Sequence, residues 1–189
     1  MIRFKYILAI DPSGSFDEGK GETGWILIND KQKVIDLGTI RAERYLRPEE
    51  YWKAHKNLIE YYSEKYKGNL AVVIEEYILY KDRCASQINS KMETCRLLGV
   101  LQEYCFEIKQ YYNLQRATEV KNRWADDILE HEGIIYRKNR GIFTKDGKNV
   151  TVRHIRDALR HATHFAVCKN GTPKRKERKS YKDEKRSAY

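Results

Sequence analysis

Apolar positions run along this chain in two rhythms, one typical of strands and one recurring every three to four residues. Residues 2–10, IRFKYILAI, end in an unbroken apolar run and predict a β-strand. Residues 23–29, TGWILIN, predict a second strand. Residues 33–40, KVIDLGTI, alternate as a strand with one half-buried face does. The glycine-rich polar stretch 13–22 reads as a loop, and short connections make these three strands an antiparallel meander. From 48 to 66 the rhythm changes: Trp52, His55, Ile59 and Tyr62 recur at helical spacing until Lys67, Gly68 and Asn69 stop it. Residues 70–76, LAVVIEE, are apolar on both faces, as a central strand covered on both sides is.

Residues 77–85 read as a loop. A long helix is expected over 86–112, with Ile88, Met92, Cys95, Leu98, Gln102, Cys105 and Ile108 along one stripe. Residues 113–117 predict a short fifth strand, and Thr118 is placed to cap a helix carrying Val120, Trp124 and Ile128. Residues 131–150, with Gly133, Gly141 and Gly147, read as a loop or a poor hairpin. The last helix, 151–168, has an apolar face of Ile155, Ala158, Leu159, Ala162, Phe165 and Ala166. This order predicts an α/β domain over 1–168: a mixed five-stranded sheet, strands one to three antiparallel and strands four and five parallel, flanked by helices.

Charge sharpens the picture. The 189 residues carry 37 Lys or Arg against 27 Asp or Glu, a formal net charge of +10, which suits a polyanionic partner such as nucleic acid. Residues 169–189 hold so many of these cations, and so little to bury, that they read as a basic disordered tail. No run approaches the roughly 18 apolar residues of a membrane helix. The opening stretch lacks a small-residue cleavage site and reads as no signal peptide. Cys84, Cys95, Cys105 and Cys168 form no CxxC pair, which argues against structural zinc and for reduced thiols in the cytoplasm.

The candidate chemistry is acidic. Asp11 ends the first apolar strand, and Glu75 and Glu76 end the fourth, which the crossover brings beside the first. A single acidic residue at a strand end usually begins a solvated loop; two at the same end of adjacent central strands carry more weight. On the last helix His154, Asp157 and His161 lie at i, i+3 and i+7, on one face opposite the Ile155/Leu159/Phe165 stripe. Converging carboxylates without Cys ligands suit hard cations such as Mg²⁺ or Mn²⁺, and paired ions of this kind serve phosphodiester displacement. The glycine-rich loop 13–24 leaves open a nucleotide-binding or otherwise non-catalytic role, although the second phosphate loop of an actin-like ATPase is missing.

Taken in order, YILAIDPSGS…TGWILI, VVIEEY, SKMETCRLLGVLQEY with Gly99, ATEVKNRW with its Val120–Lys121 pair, and HIRDALRHATHF resemble the motifs of the RuvC-type Holliday-junction resolvases, within the ribonuclease H-like superfamily. The resemblance runs from about residue 5 to 168. It implies a ribonuclease H-like fold, a homodimer, two Mg²⁺ ions per site with Mn²⁺ able to substitute, and hydrolysis of branched DNA, four-way junctions above all, to 5′-phosphate and 3′-hydroxyl ends. Asp11, Glu75 and Asp157 match the acidic ligands. His154 falls where members carry Asp or His, and all four are the catalytic and metal-binding candidates.

The resemblance also has departures. The loop 13–22 is long, the segment before the last helix is unusual, and the basic tail is additional; these features suit a phage-encoded relative. The aromatic junction probe of some members is absent at Ile78, where Tyr77 or Tyr80 substitutes or four-way selectivity is relaxed. Lys81, Arg83, Lys121, Arg123, Lys138, Arg140, Lys145 and Lys148 are the candidate phosphate contacts, and the helix over 86–112 is the candidate dimer interface. A nuclease of the same fold acting on another nucleic acid is the nearest rival reading.

Overall fold

The structure, a computed structural model, describes residues 3–78 and 91–171. Three strands open the chain, β1 (Tyr6–Asp11), β2 (Glu22–Asn29) and β3 (Val34–Arg41), followed by a 3₁₀ turn over Ala42–Arg44. Helix α1 (Pro48–Lys65) begins with proline at its first position, where a missing N–H costs no hydrogen bond. Strand β4 (Leu70–Glu76), helix α2 (Glu93–Glu107) and strand β5 (Tyr112–Arg116) come next. Two short helices, α3 (Ala117–Arg123) and α4 (Asp126–His131), lead to a hairpin, β6 (Ile135–Lys138) and β7 (Gly141–Thr144), and the described chain closes on α5 (Arg153–Cys168).

The sheet has the order β3-β2-β1-β4-β5, with β1 antiparallel to β2 and parallel to β4, and β4 parallel to β5. This is the mixed five-stranded sheet that the apolar runs predicted. Alternation along the central strands sorts their side chains onto two cores. Ile7, Ala9, Ala71 and Val73 face α5, with Leu159, Ala162 and Phe165 against them. Leu8, Ile10, Val72 and Ile74 face α1 and α2, with Tyr51, Ile59, Leu97 and Leu101 against them.

Several local expectations change. Strand β1 starts at Tyr6 rather than residue 2 and includes Asp11. On α1 the buried stripe is Tyr51, His55, Ile59 and Tyr62, with Trp52 only partly covered. The helix expected to reach residue 112 ends at Glu107, because Lys109 turns into the left-handed region (φ 55°) and Tyr112 pairs with Val72. The residues expected to begin that helix, 86–90, lie outside the described residues. Thr118 sits inside α3 and caps nothing; the N-cap is Arg116, with no side-chain cap. The helix drawn through Val120, Trp124 and Ile128 is two helices, broken at Trp124 and Ala125. Residues 135–144 form a true antiparallel hairpin, a sheet of its own.

Candidate active site

Strand parity places the first two carboxylates. Asp11 stands two residues beyond Ala9, and Glu75 two beyond Val73, so both project to the α5 face. The β1–β4 register pairs Ile10 with Ile74, leaving Asp11 and Glu75 side by side at the ends of the two most buried strands. Glu76 has the opposite parity and lies 3.5 Å from the Arg116 Nε on the neighbouring strand. The two adjacent glutamates therefore belong to different faces.

Helix α5 is fixed over these carboxylates at both ends. At its start, a Cβ on Gly24 would lie 2.1 Å from the backbone carbon of His154, so only glycine lets the helix come this close to β2. Gly24 is also the register partner of Asp11, and the close approach is what lets His154 Nδ1 reach Asp11 Oδ2, at 2.7 Å. At the far end Asn170 holds Phe4, accepting its N–H at 2.7 Å and donating to its carbonyl at 2.8 Å. The helix therefore runs antiparallel to β1, and its polar edge faces the strand ends instead of solvent: Asp157 is 2% exposed and His161 is fully buried.

Cations from two elements, α3 and α5, balance the acids. The Lys121 ammonium, on α3, lies 3.0 Å from Glu75 Oε1 and 3.0 Å from Asp157 Oδ2. Arg160 bridges Asp157 to Asp126, the first residue of α4, and Arg156 reaches the same Asp126 at 3.1 Å. Burial pushes the Asp11 carboxyl up to about 6, with Glu75 adding to the rise and the His154 hydrogen bond opposing it. Burial also works on Glu75, but the hydrogen bond with His161 and the attraction of His161 and Lys121 outweigh it and bring that carboxyl down to about 2. His154 is raised above the ordinary histidine range by its hydrogen bond with Asp11. Lys121 is held protonated: burial opposes its charge, and Glu75, Asp157 and Asp11 more than compensate.

Glu75 is shared between two partners. Its Oε1 takes Lys121, while His161 Nε2–H donates to its Oε2 at 2.9 Å. The other ring nitrogen of His161 meets Gln115 Oε1 at 3.0 Å. Gln115 is itself buried and is the register partner of Glu75 on β5. Its amide nitrogen has no partner among the described residues.

The opposite face carries a neutral counterpart. The buried His55 donates from Nδ1 to the Tyr51 carbonyl at 2.7 Å and accepts the Thr23 hydroxyl at Nε2, at 2.8 Å. Thr23 Oγ1 in turn accepts the Ser13 N–H, and the Tyr51 hydroxyl donates to the Ser13 carbonyl at 2.6 Å. Burial pushes His55 down to about 4, so it is neutral at physiological pH. This network pins the chain two residues past Asp11. Gly14, one residue further, has its N–H on Thr94 Oγ1 and no room for a Cβ against Glu93 and Thr94.

Could these residues hold a divalent cation? Among the described residues, no three His, Cys, Asp or Glu side chains are drawn together as a ready ring around an ion. The reason is the ammonium between Glu75 and Asp157, a single positive charge held by two carboxylates. Two carboxylates drawn onto a monovalent cation, with Asp11 and the His154 imidazole beside them, are a donor set that fits a hard divalent ion once Lys121 yields its place.

The four predicted catalytic residues, Asp11, Glu75, His154 and Asp157, are thus brought together. Lys121, expected on the surface as a phosphate contact, stands among them. Arg123, Lys138, Arg140, Lys145 and Lys148 are exposed, the last four on the hairpin and the turn after it, while Lys81 and Arg83 lie outside the described residues. Gln115 and Arg160 are not marked as site residues by the sequence pattern, and His161 only as one position on the polar face of α5. The one usable signal is position: Gln115 is a polar residue within a strand, and Lys121 directly follows the buried Val120.

No family model matches the chain, and no curated protein matches it. Among solved structures, Thermus thermophilus RuvC in complex with Holliday junction substrate superposes with a TM-score of 0.59 at 14% identity, over 87% of this chain and 96% of that one. A second Thermus thermophilus RuvC structure gives 0.58 at 15% identity, over 88% and 97%. At such identities the likeness speaks for architecture, and the architecture is clear: the chain has a RuvC-like, ribonuclease H-like fold.

Proposed function

We propose that this protein is a structure-selective DNA endonuclease that cuts branched DNA, four-way junctions first, by cation-assisted phosphodiester hydrolysis. One observation carries the reading: on a RuvC-like fold, Glu75 and Asp157 converge on the Lys121 ammonium at one end of the central strands, with Asp11 next to Glu75. Asp11, Glu75, Asp157 and His154 would hold Mg²⁺, or Mn²⁺, two ions in all. Such ions supply a polarised phosphate and an activated water. His154, about one-third exposed and bound to Asp11, is placed to exchange a proton with solvent at the rim. Lys121, displaced from its two carboxylates, is left with its charge for the phosphate.

The basic hairpin and Arg123 would lie along the backbone of a duplex arm and position it without reading sequence. Two symmetric incisions in a four-way junction call for two copies of the chain, with α2 as the candidate contact; its Phe106 is 81% exposed. The products would carry 5′-phosphate and 3′-hydroxyl ends.

The test is direct. Purified protein with Mg²⁺ or Mn²⁺ is expected to cut a four-way junction faster than a fork, a flap or an RNA–DNA hybrid, and Asp11→Asn to bind the junction without cutting it. Mg²⁺-dependent cleavage surviving in Asp11→Asn would overturn the assignment, and preference for the hybrid would move the protein to a different substrate.

A further inference from the structure

The buried pair His161 and Gln115 has no place in the proposed chemistry, yet it touches Glu75. We infer that His161, backed by Gln115, is a positioning residue: it reserves one oxygen of Glu75 and leaves the other as the single oxygen this side chain offers a cation. The inference rests on the nuclease reading for its purpose and on geometry for its content.

Glu75 Oε2 faces the fully buried His161 ring at 2.9 Å, away from solvent. Glu75 Oε1 faces Lys121, whose side chain is 30% exposed and therefore able to leave. The two oxygens thus have one fixed partner and one exchangeable partner. His161 cannot rotate to solvent, because α5 is pinned at both ends and Gln115 closes the other side of the ring at 3.0 Å. A carboxylate free to turn would bind an ion through either or both oxygens; a carboxylate with one oxygen committed presents a fixed monodentate donor.

Gln115 is 4% exposed and is the second partner of the His161 ring, so the buried glutamine serves to hold the ring that holds Glu75. An apolar side chain in its place would leave the buried His161 Nδ1 without a partner and the ring free to tilt.

Mn²⁺ affinity, read from the electron paramagnetic resonance signal of free Mn²⁺, tests this without relying on cleavage. The full chain is compared with His161→Leu, His161→Gln and Gln115→Met, each checked by circular dichroism and thermal melting. His161→Leu is expected to bind Mn²⁺ about 10- to 100-fold more weakly. His161→Gln, which keeps a donor near the Nε2 position, is expected to recover most of that affinity. Gln115→Met, which leaves Glu75 and His161 in place, is expected to lose several-fold. In a Glu75→Gln background His161→Leu should change Mn²⁺ affinity no further. A folded His161→Leu or Gln115→Met with wild-type Mn²⁺ affinity overturns the inference. Should His161→Leu not fold, Gln115→Met and His161→Gln decide. Failure of the unmodified chain to bind Mn²⁺ at all would instead overturn the nuclease reading, separately from His161.

Discussion

The two faces of the sheet each bury a histidine beneath the same end of β1, and the two sites behave as opposites. On the α1 face His55 is ringed by neutral partners, the Tyr51 carbonyl and the Thr23 hydroxyl, and its hydrogen bonds close on themselves. On the α5 face His161 leans on a carboxylate within a cluster of three acids, an ammonium and a guanidinium. The neutral network is scaffold: it fixes Ser13 and so the exit of the chain from Asp11. The ionic cluster sets like charges side by side in a dry place, as the raised Asp11 carboxyl shows. Buried ion clusters contribute little net stability.

Removing the Asp11 charge and removing His55 should therefore move stability in opposite directions. The largest effect is expected for Asp11→Asn. Cleavage should fall roughly a thousandfold, some 4 kcal/mol of transition-state stabilisation. In metal-free buffer the same change should stabilise the fold at pH 8, by up to about 3 kcal/mol. The sign follows from the raised carboxyl. Ionised Asp11 opposes folding in full above about pH 6, progressively less between 6 and 3.8, and not at all below 3.8, so the gain should vanish on acidification. Urea unfolding at pH 8 and pH 4 measures it, and a destabilised Asp11→Asn at pH 8 would contradict the contrast.

His55→Ala should do the reverse, lowering stability by about 3 kcal/mol at pH 7 through a cavity and an unpaired hydroxyl. Its pH dependence sharpens the point. Between pH 6.5 and about 4 the unfolded chain takes up a proton that folded His55 refuses, so the natural chain loses stability there and the variant does not. The difference between them should narrow by up to about 3 kcal/mol over that interval.

Gly24→Ala tests the seam where α5 meets the sheet. The added methyl collides with the His154 backbone, and a cost of about 1–3 kcal/mol is expected together with loss of cleavage. Measured stability equal to the natural chain would show that α5 can shift freely. The smallest effect is expected far from both histidines: replacing Lys138 and Arg140 by alanine should leave stability within about 0.5 kcal/mol. The same change should flatten the slope of log affinity for junction DNA against log salt by about 2.

The carboxylates were legible in the sequence because their strands are simple. ILAI and LAVVI leave no doubt about burial, and the first polar position on the right face of each is Asp11 or Glu75. Parity also separates Glu75 from Glu76, a distinction that needs both cores to be known. The cations were not legible. Lys121 lies on a seven-residue helix among other charged residues, and nothing local distinguishes an ammonium drawn onto two acids from a solvated one. Gln115 and His161 meet only because β5 pairs with β4 in one register and α5 crosses both, a relation between segments 46 residues apart. The break between α3 and α4 escaped periodicity because Val120, Trp124 and Ile128 keep helical spacing across it.

The pinning of α5 has a consequence for synthesis. The acids and the ammonium that make up the cup come from β1, β4, α3 and α5, so a chain still emerging from the ribosome holds Asp11, Glu75 and Lys121 but lacks the helix that brings Asp157 to them. The site is therefore completed last, and a prematurely terminated product that stops short of Arg153 lacks both His154 and Asp157.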